Sequence, residues 1–156
     1  MAAVTSQTLT SEPILTYGGH TKRLWRESGI GAAATDDTLT TTLGRAKKLR
    51  GIFIVYSAAP TFTASVTVDL DSGQGASYDI VGLFTLTTAD ASGTGFRYMY
   101  YIPGLTTVPT LWTATGYQPL GNFDMVFGKD DQLIVNVPGG GGAITSKVTV
   151  LWEELR

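Results

Sequence analysis

From Thr38 onward the apolar side chains recur at every second position. In "SVTVDLD", Val66, Val68 and Leu70 alternate with Ser65, Thr67, Asp69 and Asp71, so one face is set for burial and the other for water. "SKVTVLWEE" repeats the device: Val148, Val150 and Trp152 face one way, Lys147, Thr149 and Glu153 the other, and Leu151 breaks the rule. "KLRGIFIVYS" differs. A strict period of two places Leu49, Phe53 and Val55 on one face and Ile52, Ile54 and Tyr56 on the other, so both are apolar. Such a strand is expected to be covered on both sides or packed against a neighbouring subunit.

Further strands are predicted at "TLTTTL" (38–43), "YDIVGLFTLT" (78–87), "FRYMYYI" (96–102), "TLWTAT" (110–115) and "DQLIVNV" (131–137). Between them, "DSGQG", "ASGTG", "IPGL", "GKDD" and "PGGGG" supply the Gly, Pro and Asp of reversals. Short strands at this spacing predict an all-β sandwich or barrel. "GRAKKLR" is the best helical candidate, and its composition suits the start of a strand better.

Residues 1–34 have another texture. "TSQTLTSEP" and "ESGIGAAATDD" are small and polar, and Leu15, Tyr17 and Trp25 are the large anchors between them. Two readings stand side by side: an extended N-terminal arm that orders on a partner, or the first one or two strands of the domain. In the arm reading Arg23 and Arg26 pair with an acidic surface while Trp25 fills a pocket. Residues 35–156 form the sandwich domain.

Composition narrows the function. A chain of 156 residues is long enough for one domain with its own core. It has no Cys, which removes disulfides and thiolate metal sites. A net charge of -2, with 15% charged residues, argues against nucleic acid as a partner. The start, "MAAVTSQTLTSEP", lacks the pattern of a signal peptide, and no run is long enough for a membrane-spanning helix, so synthesis in the cytoplasm is expected.

The candidate chemistry is thin. A calcium loop begun at Asp69 places Asp71 correctly, but Gly73, Gln74 and Ile80 fall where an oxygen ligand, a glycine and a bidentate Glu are needed. "DLDSGQG" is therefore expected to be a hairpin turn. His20 is the sole histidine, which leaves no His cluster for zinc, and no Ser sits in a G-x-S-x-G elbow. "PGGGG" lacks the Lys and Ser/Thr of a phosphate loop and is expected to be a hairpin tip; "KDDQ" is expected to be a turn. No catalytic set, metal site or cofactor is expected. The remaining candidates are interface residues: Ile52 and Ile54 on the two-sided strand, and Tyr98, Tyr100 and Tyr101 in "FRYMYYIP".

Taken together, "KKLRGIFIVYSAAPTFTASVTVDLDSG" as an early strand pair, "KDDQLIVNVPGGGG" as a late strand and "SKVTVLWEEL" at the end resemble the small jelly-roll structural proteins of tailed bacteriophage virions, over residues 38–156. The resemblance implies a jelly-roll-like antiparallel β-sandwich with an extended N-terminal arm. It implies a virion protein with no enzymatic role: a capsid decoration protein that forms a homotrimer or other symmetric oligomer, binds the major capsid protein and bridges capsomers. A neck, tail or fibre-anchoring protein is the nearest alternative. A carbohydrate- or receptor-binding module is the rival from another class, and it would use exposed rings among Tyr98, Tyr100, Tyr101 and Trp112.

Overall fold

The computed structural model describes residues 2–3, 8–17, 20–31, 35–60, 66–73, 80–86, 98–101, 116–117 and 125–155. Every regular element among them is a strand: β1 (Ala2–Ala3), β2 (Thr8–Tyr17), β3 (His20–Ile30), β4 (Asp37–Thr40), β5 (Lys47–Tyr56), β6 (Val66–Asp71), β7 (Ile80–Leu86), β8 (Tyr98–Tyr101), β9 (Gly116–Tyr117), β10 (Val126–Phe127), β11 (Gln132–Val137) and β12 (Ser146–Glu154). They build two sheets, a smaller one in the order β1-β4-β11-β6-β7 and a larger one in the order β2-β3-β12-β5-β8-β9, with β10 beside β5. Pairing is antiparallel except for two-residue parallel contacts of β1 with β4 and β8 with β9. The protein is an all-β sandwich.

The core lies between the sheets. Leu39, Val66, Val68, Leu133, Val135 and Val137 come from the smaller sheet, and Leu49, Ile52, Ile54, Tyr56, Val148, Val150 and Trp152 from the larger. Each fully buried aliphatic side chain stabilises the fold by about 1.5–3 kcal/mol relative to exposure. The alternation in β6, β11 and β12 maps directly onto burial. In β12, Ser146, Val148, Val150 and Trp152 are buried while Lys147 is exposed.

In β5 the strict period of two fails. Leu151 stands opposite Gly51, but Trp152 stands opposite Leu49, so Arg50 is an extra residue and the strand bulges there. The bulge shifts the phase, and Lys47 and Leu49 join Ile52, Ile54 and Tyr56 on the core face. Leu49 therefore does not share a face with Phe53 and Val55, which lie on the outer face and are half-buried. Gly51, without a side chain, eases the kink.

Two expected hairpins are crossovers instead. β5 belongs to the larger sheet and β6 to the smaller, so "KKLRGIFIVYSAAPTFTASVTVDLDSG" is not a strand pair. Likewise "PGGGG" carries the chain from β11 in the smaller sheet to β12 in the larger. Gly141 and Gly142 take positive φ values of 86° and 55°, and Gly140 is buried where a Cβ would stand 3.0 Å from Tyr56 Cδ1. That run is a packed corner: the Tyr56 hydroxyl donates to the Pro138 carbonyl at 2.7 Å, and Gly139 N donates to Asp36 at 2.9 Å.

β6 and β7 do form a hairpin, with Gly73 at φ 68° and its N–H donated to Asp71 Oδ1 at 3.0 Å. The opening segment contributes strands. β3 lies inside the larger sheet, paired with β12 from Leu24 to Ile30 and with β2 on its other side. The strand expected at 110–115 falls outside the described residues, as does Trp112.

Candidate functional site

On the smaller sheet, Thr38, Thr40, Thr67, Asp69, Asp71, Gln132, Ile134 and Asn136 point outward, between core residues. Their polar atoms are joined across three strands. Thr38 Oγ1 donates to Asn136 Oδ1 at 2.9 Å, and Asn136 Nδ2 donates to Thr67 Oγ1 at 3.0 Å and Asp69 Oδ2 at 2.9 Å. This face satisfies itself and suits water.

The larger sheet turns a different face outward. Opposite residues of an antiparallel pair share a face, so Ile30 lies in one row with Lys147 and Val55, and Ser28 in the next with Thr149 and Phe53. Arg26 and Leu151 follow, then Leu24 and Glu153. Val126 of β10 stands beside Lys48 at the far edge. Ile30 is 50% exposed and Val126 58%, two of the three large apolar side chains so exposed among the described residues. Phe53, Val55, Leu151 and Leu24 are half-buried around them. Charged residues on this face include Arg26, Lys48, Arg50, Lys147 and Glu153, which Arg50 engages through Nε and Nη2, and the pairing of β2 with β3 sets Glu12 opposite Leu24. Cations and apolar side chains are interspersed: Lys147 lies between Ile30 and Val55, and Arg26 stands opposite Leu151.

Beneath this sheet is a buried polar clamp that the sequence reading missed. Lys47 has no exposed surface, and its Nζ donates to the carbonyls of Leu43 (2.8 Å), Asp131 (2.7 Å) and Gly128 (3.3 Å) while lying 5.5 Å from the centre of the Trp152 ring. Loss of water around the ammonium lowers its pKa from the ordinary value, and the carboxylates of Glu27, Asp131 and Asp130 oppose that shift. Glu27 is buried and accepts the N–H of Thr42, the Thr42 hydroxyl at 3.2 Å and the Trp152 indole N–H at 3.0 Å. Phe127 meets Trp152 edge-on, with centroids 5.2 Å apart. The clamp ties β3, β5, β10 and β12 to the loop 41–46 and the turn 128–131. The turn itself is closed by Gly128 N donating to Asp131 Oδ2 at 2.7 Å. The available signal was that Lys47 falls two residues before Leu49, in phase with a core position.

The candidate interface residues divide. Ile52 and Ile54 are fully buried in the chain's own core, which covers them without a second copy. Trp25 is half-buried against that core; its indole N–H donates to Glu154 Oε2 at 2.8 Å and Arg45 stacks over its ring at 5.0 Å. The pocket it fills is therefore internal. Arg26 is exposed on the outer face of the larger sheet. Arg23 is placed by its backbone opposite Pro13, and Tyr98, Tyr100 and Tyr101 opposite Val55, Phe53 and Ile52.

Among the described residues there is no group of three His, Asp or Glu arranged to hold a metal ion, and no helix long and apolar enough to cross a membrane. No family model, curated protein or solved structure matches this chain.

Proposed function

We propose that this chain is a jelly-roll structural protein of a bacteriophage virion, a capsid decoration protein that binds the shell and assembles with further copies of itself. The supporting observation is the strand order. If β3, β4, β5, β6, β7, β8, β11 and β12 are counted one to eight in chain order, the larger sheet runs one, eight, three, six and the smaller two, seven, four, five. That order is the one a jelly roll would have, which supports the jelly-roll reading; viral capsid and lectin domains use that architecture. Fold alone does not set function. The buried Lys47–Glu27–Trp152 clamp favours a rigid scaffold over a catalytic use of those groups, because each is engaged in holding loops to strands.

The test has two parts: mixing the purified protein with empty phage shells and sedimenting them, and measuring its mass in solution. Saturable co-sedimentation, with a solution mass at a multiple of 16.6 kDa, is the expected result. Absence of binding to shells at micromolar protein contradicts the decoration role.

A further inference from the structure

The Lys47 ammonium has three N–H donors, and the fold gives it three acceptors: the carbonyls of Asp131 at 2.7 Å, Leu43 at 2.8 Å and Gly128 at 3.3 Å. Donors and acceptors match in number only while the group is charged. A neutral amine has two N–H bonds and a lone pair, so one of the three carbonyls must lose its donor and face that lone pair. The longest contact is the one to Gly128, an exposed residue that can turn its carbonyl to water, whereas Leu43 is buried. We infer that Lys47 is a proton-operated latch on the turn 128–131: the ammonium holds the turn shut, and the neutral amine lets its Gly128 end swing out while the sandwich stays folded.

The charged groups around the latch are held by other partners. On β3, the two carboxylate oxygens of Glu27 accept from Thr42 and from the Trp152 indole. On β12, Glu154 stands opposite Lys47 but is bonded by Arg45 from the loop 41–46 and by Trp25, and Glu153 is bonded by Arg50. In the turn, Asp131 accepts the Gly128 N–H, and exposed Asp130 pairs with Lys129 at 3.4 Å. Lys48 and Arg50 lie on the outer face of β5. Burial lowers the Lys47 pKa while Glu27, Asp131 and Asp130 oppose the shift, so release begins below the ordinary lysine value of 10.5. The same step removes a buried charge and its dehydration cost, which leaves the sandwich stable. Residues 128–130 are already exposed, so the turn moves without uncovering the core.

Carbon-detected NMR of the full chain, which needs no amide proton, follows the carbonyl and Cα resonances of Leu43, Gly128, Asp130 and Asp131 from neutral pH to beyond 10.5. The expected result is one titration with its midpoint below 10.5, largest at the Gly128 carbonyl, that carries the Cα shifts of the turn toward unstructured values while Val148 and Val150 do not move. Lys129→Gln removes the titrating neighbour from the turn and should keep this midpoint. Lys47→Met should show the released shifts already at neutral pH, with no titration. The latch is overturned if the resonances of the turn stay fixed through 10.5, if they move only together with those of Val148 and Val150, or if the midpoint lies at or above 10.5. A turn that stays shut in Lys47→Met overturns it equally. Should Lys47→Met not fold, Lys129→Gln decides alone: loss of the midpoint below 10.5 in that variant assigns the titration to Lys129 and overturns the latch.

Discussion

The carboxylate of Glu27 in β3 accepts the indole N–H of Trp152 in β12 at 3.0 Å, in the buried layer between the sheets. The same carboxylate holds both polar groups of Thr42, in the loop that follows β4. One side chain therefore couples an early strand, the last strand and a connection between sheets. Replacing Glu27 with Leu leaves the Trp152 N–H unpaired in the interior, takes the acceptor from the Thr42 N–H, and removes the carboxylate that most opposes the lowering of the Lys47 pKa. The expected cost is about 2–4 kcal/mol by urea denaturation. In a double-mutant cycle with Trp152→Phe the two effects should couple by about 0.5–3 kcal/mol, because the pair shares a hydrogen bond. Simple additivity would show that the contact contributes little.

Lys47→Met tests the other half of the clamp. The methionine fills similar volume but leaves the carbonyls of Leu43 and Asp131 without their donor. A loss of about 1–3 kcal/mol is expected, which in a domain of this size lowers the melting midpoint by roughly 2–10 °C. An unchanged or raised midpoint would mean that the cost of dehydrating the ammonium outweighs its three bonds.

The same lysine sets a pH dependence. Its pKa is lowered in the fold below the ordinary 10.5, so between the folded and unfolded values the unfolded chain binds more protons. Stability then rises with pH across that window, and the contribution is flat below it, where both states are protonated. Measured as the difference between the parent and Lys47→Met, which cancels the other lysines and the tyrosines, the parent should gain stability as pH approaches 10.5 from below. A difference that falls over this range would mean that the carboxylates, not dehydration, dominate.

Gly31 follows β3 where the chain turns toward the smaller sheet, and its N–H donates to the Ser146 carbonyl at 2.8 Å. A Cβ there would lie 1.9 Å from Asp37 Oδ2 and 2.5 Å from Ser146 Oγ, and Asp37 is buried. Gly31→Ala must displace that carboxylate and is expected to cost about 1–3 kcal/mol. Gly44→Ala, at a position with nothing near the added methyl, is the matched control and should stay within about 0.5 kcal/mol of the parent by the same denaturation assay.

Much of the architecture was legible because alternation reports burial directly: Val66 and Val68, Leu133 and Val135, and Val148 and Val150 all face the core as their spacing demands. The bulge, the crossovers and the buried clamp were not. A bulge is a one-residue event, and Arg50 carries no mark that distinguishes an extra residue from an ordinary outward one, so Leu49 was assigned to the wrong face. Turn chemistry also reports that the chain reverses but not which sheet receives it. Hence the glycines at 139–142 suggested a hairpin where the chain crosses between layers. The clamp stayed hidden for a related reason: Lys47 and Glu27 are residue types that composition assigns to the surface, and only the partners brought by distant strands make their burial tolerable. The outer face of the larger sheet was partly legible through Arg26, whereas Ile30 and Val126 emerged only when the pairing of β3, β12, β5 and β10 placed them on one side.

Co-sedimentation of the purified protein with empty phage shells tests the proposed decoration role most directly. That role predicts saturable binding at micromolar protein, with the protein staying in solution when shells are omitted. A protein that remains in the supernatant at every ratio of protein to shell would contradict it.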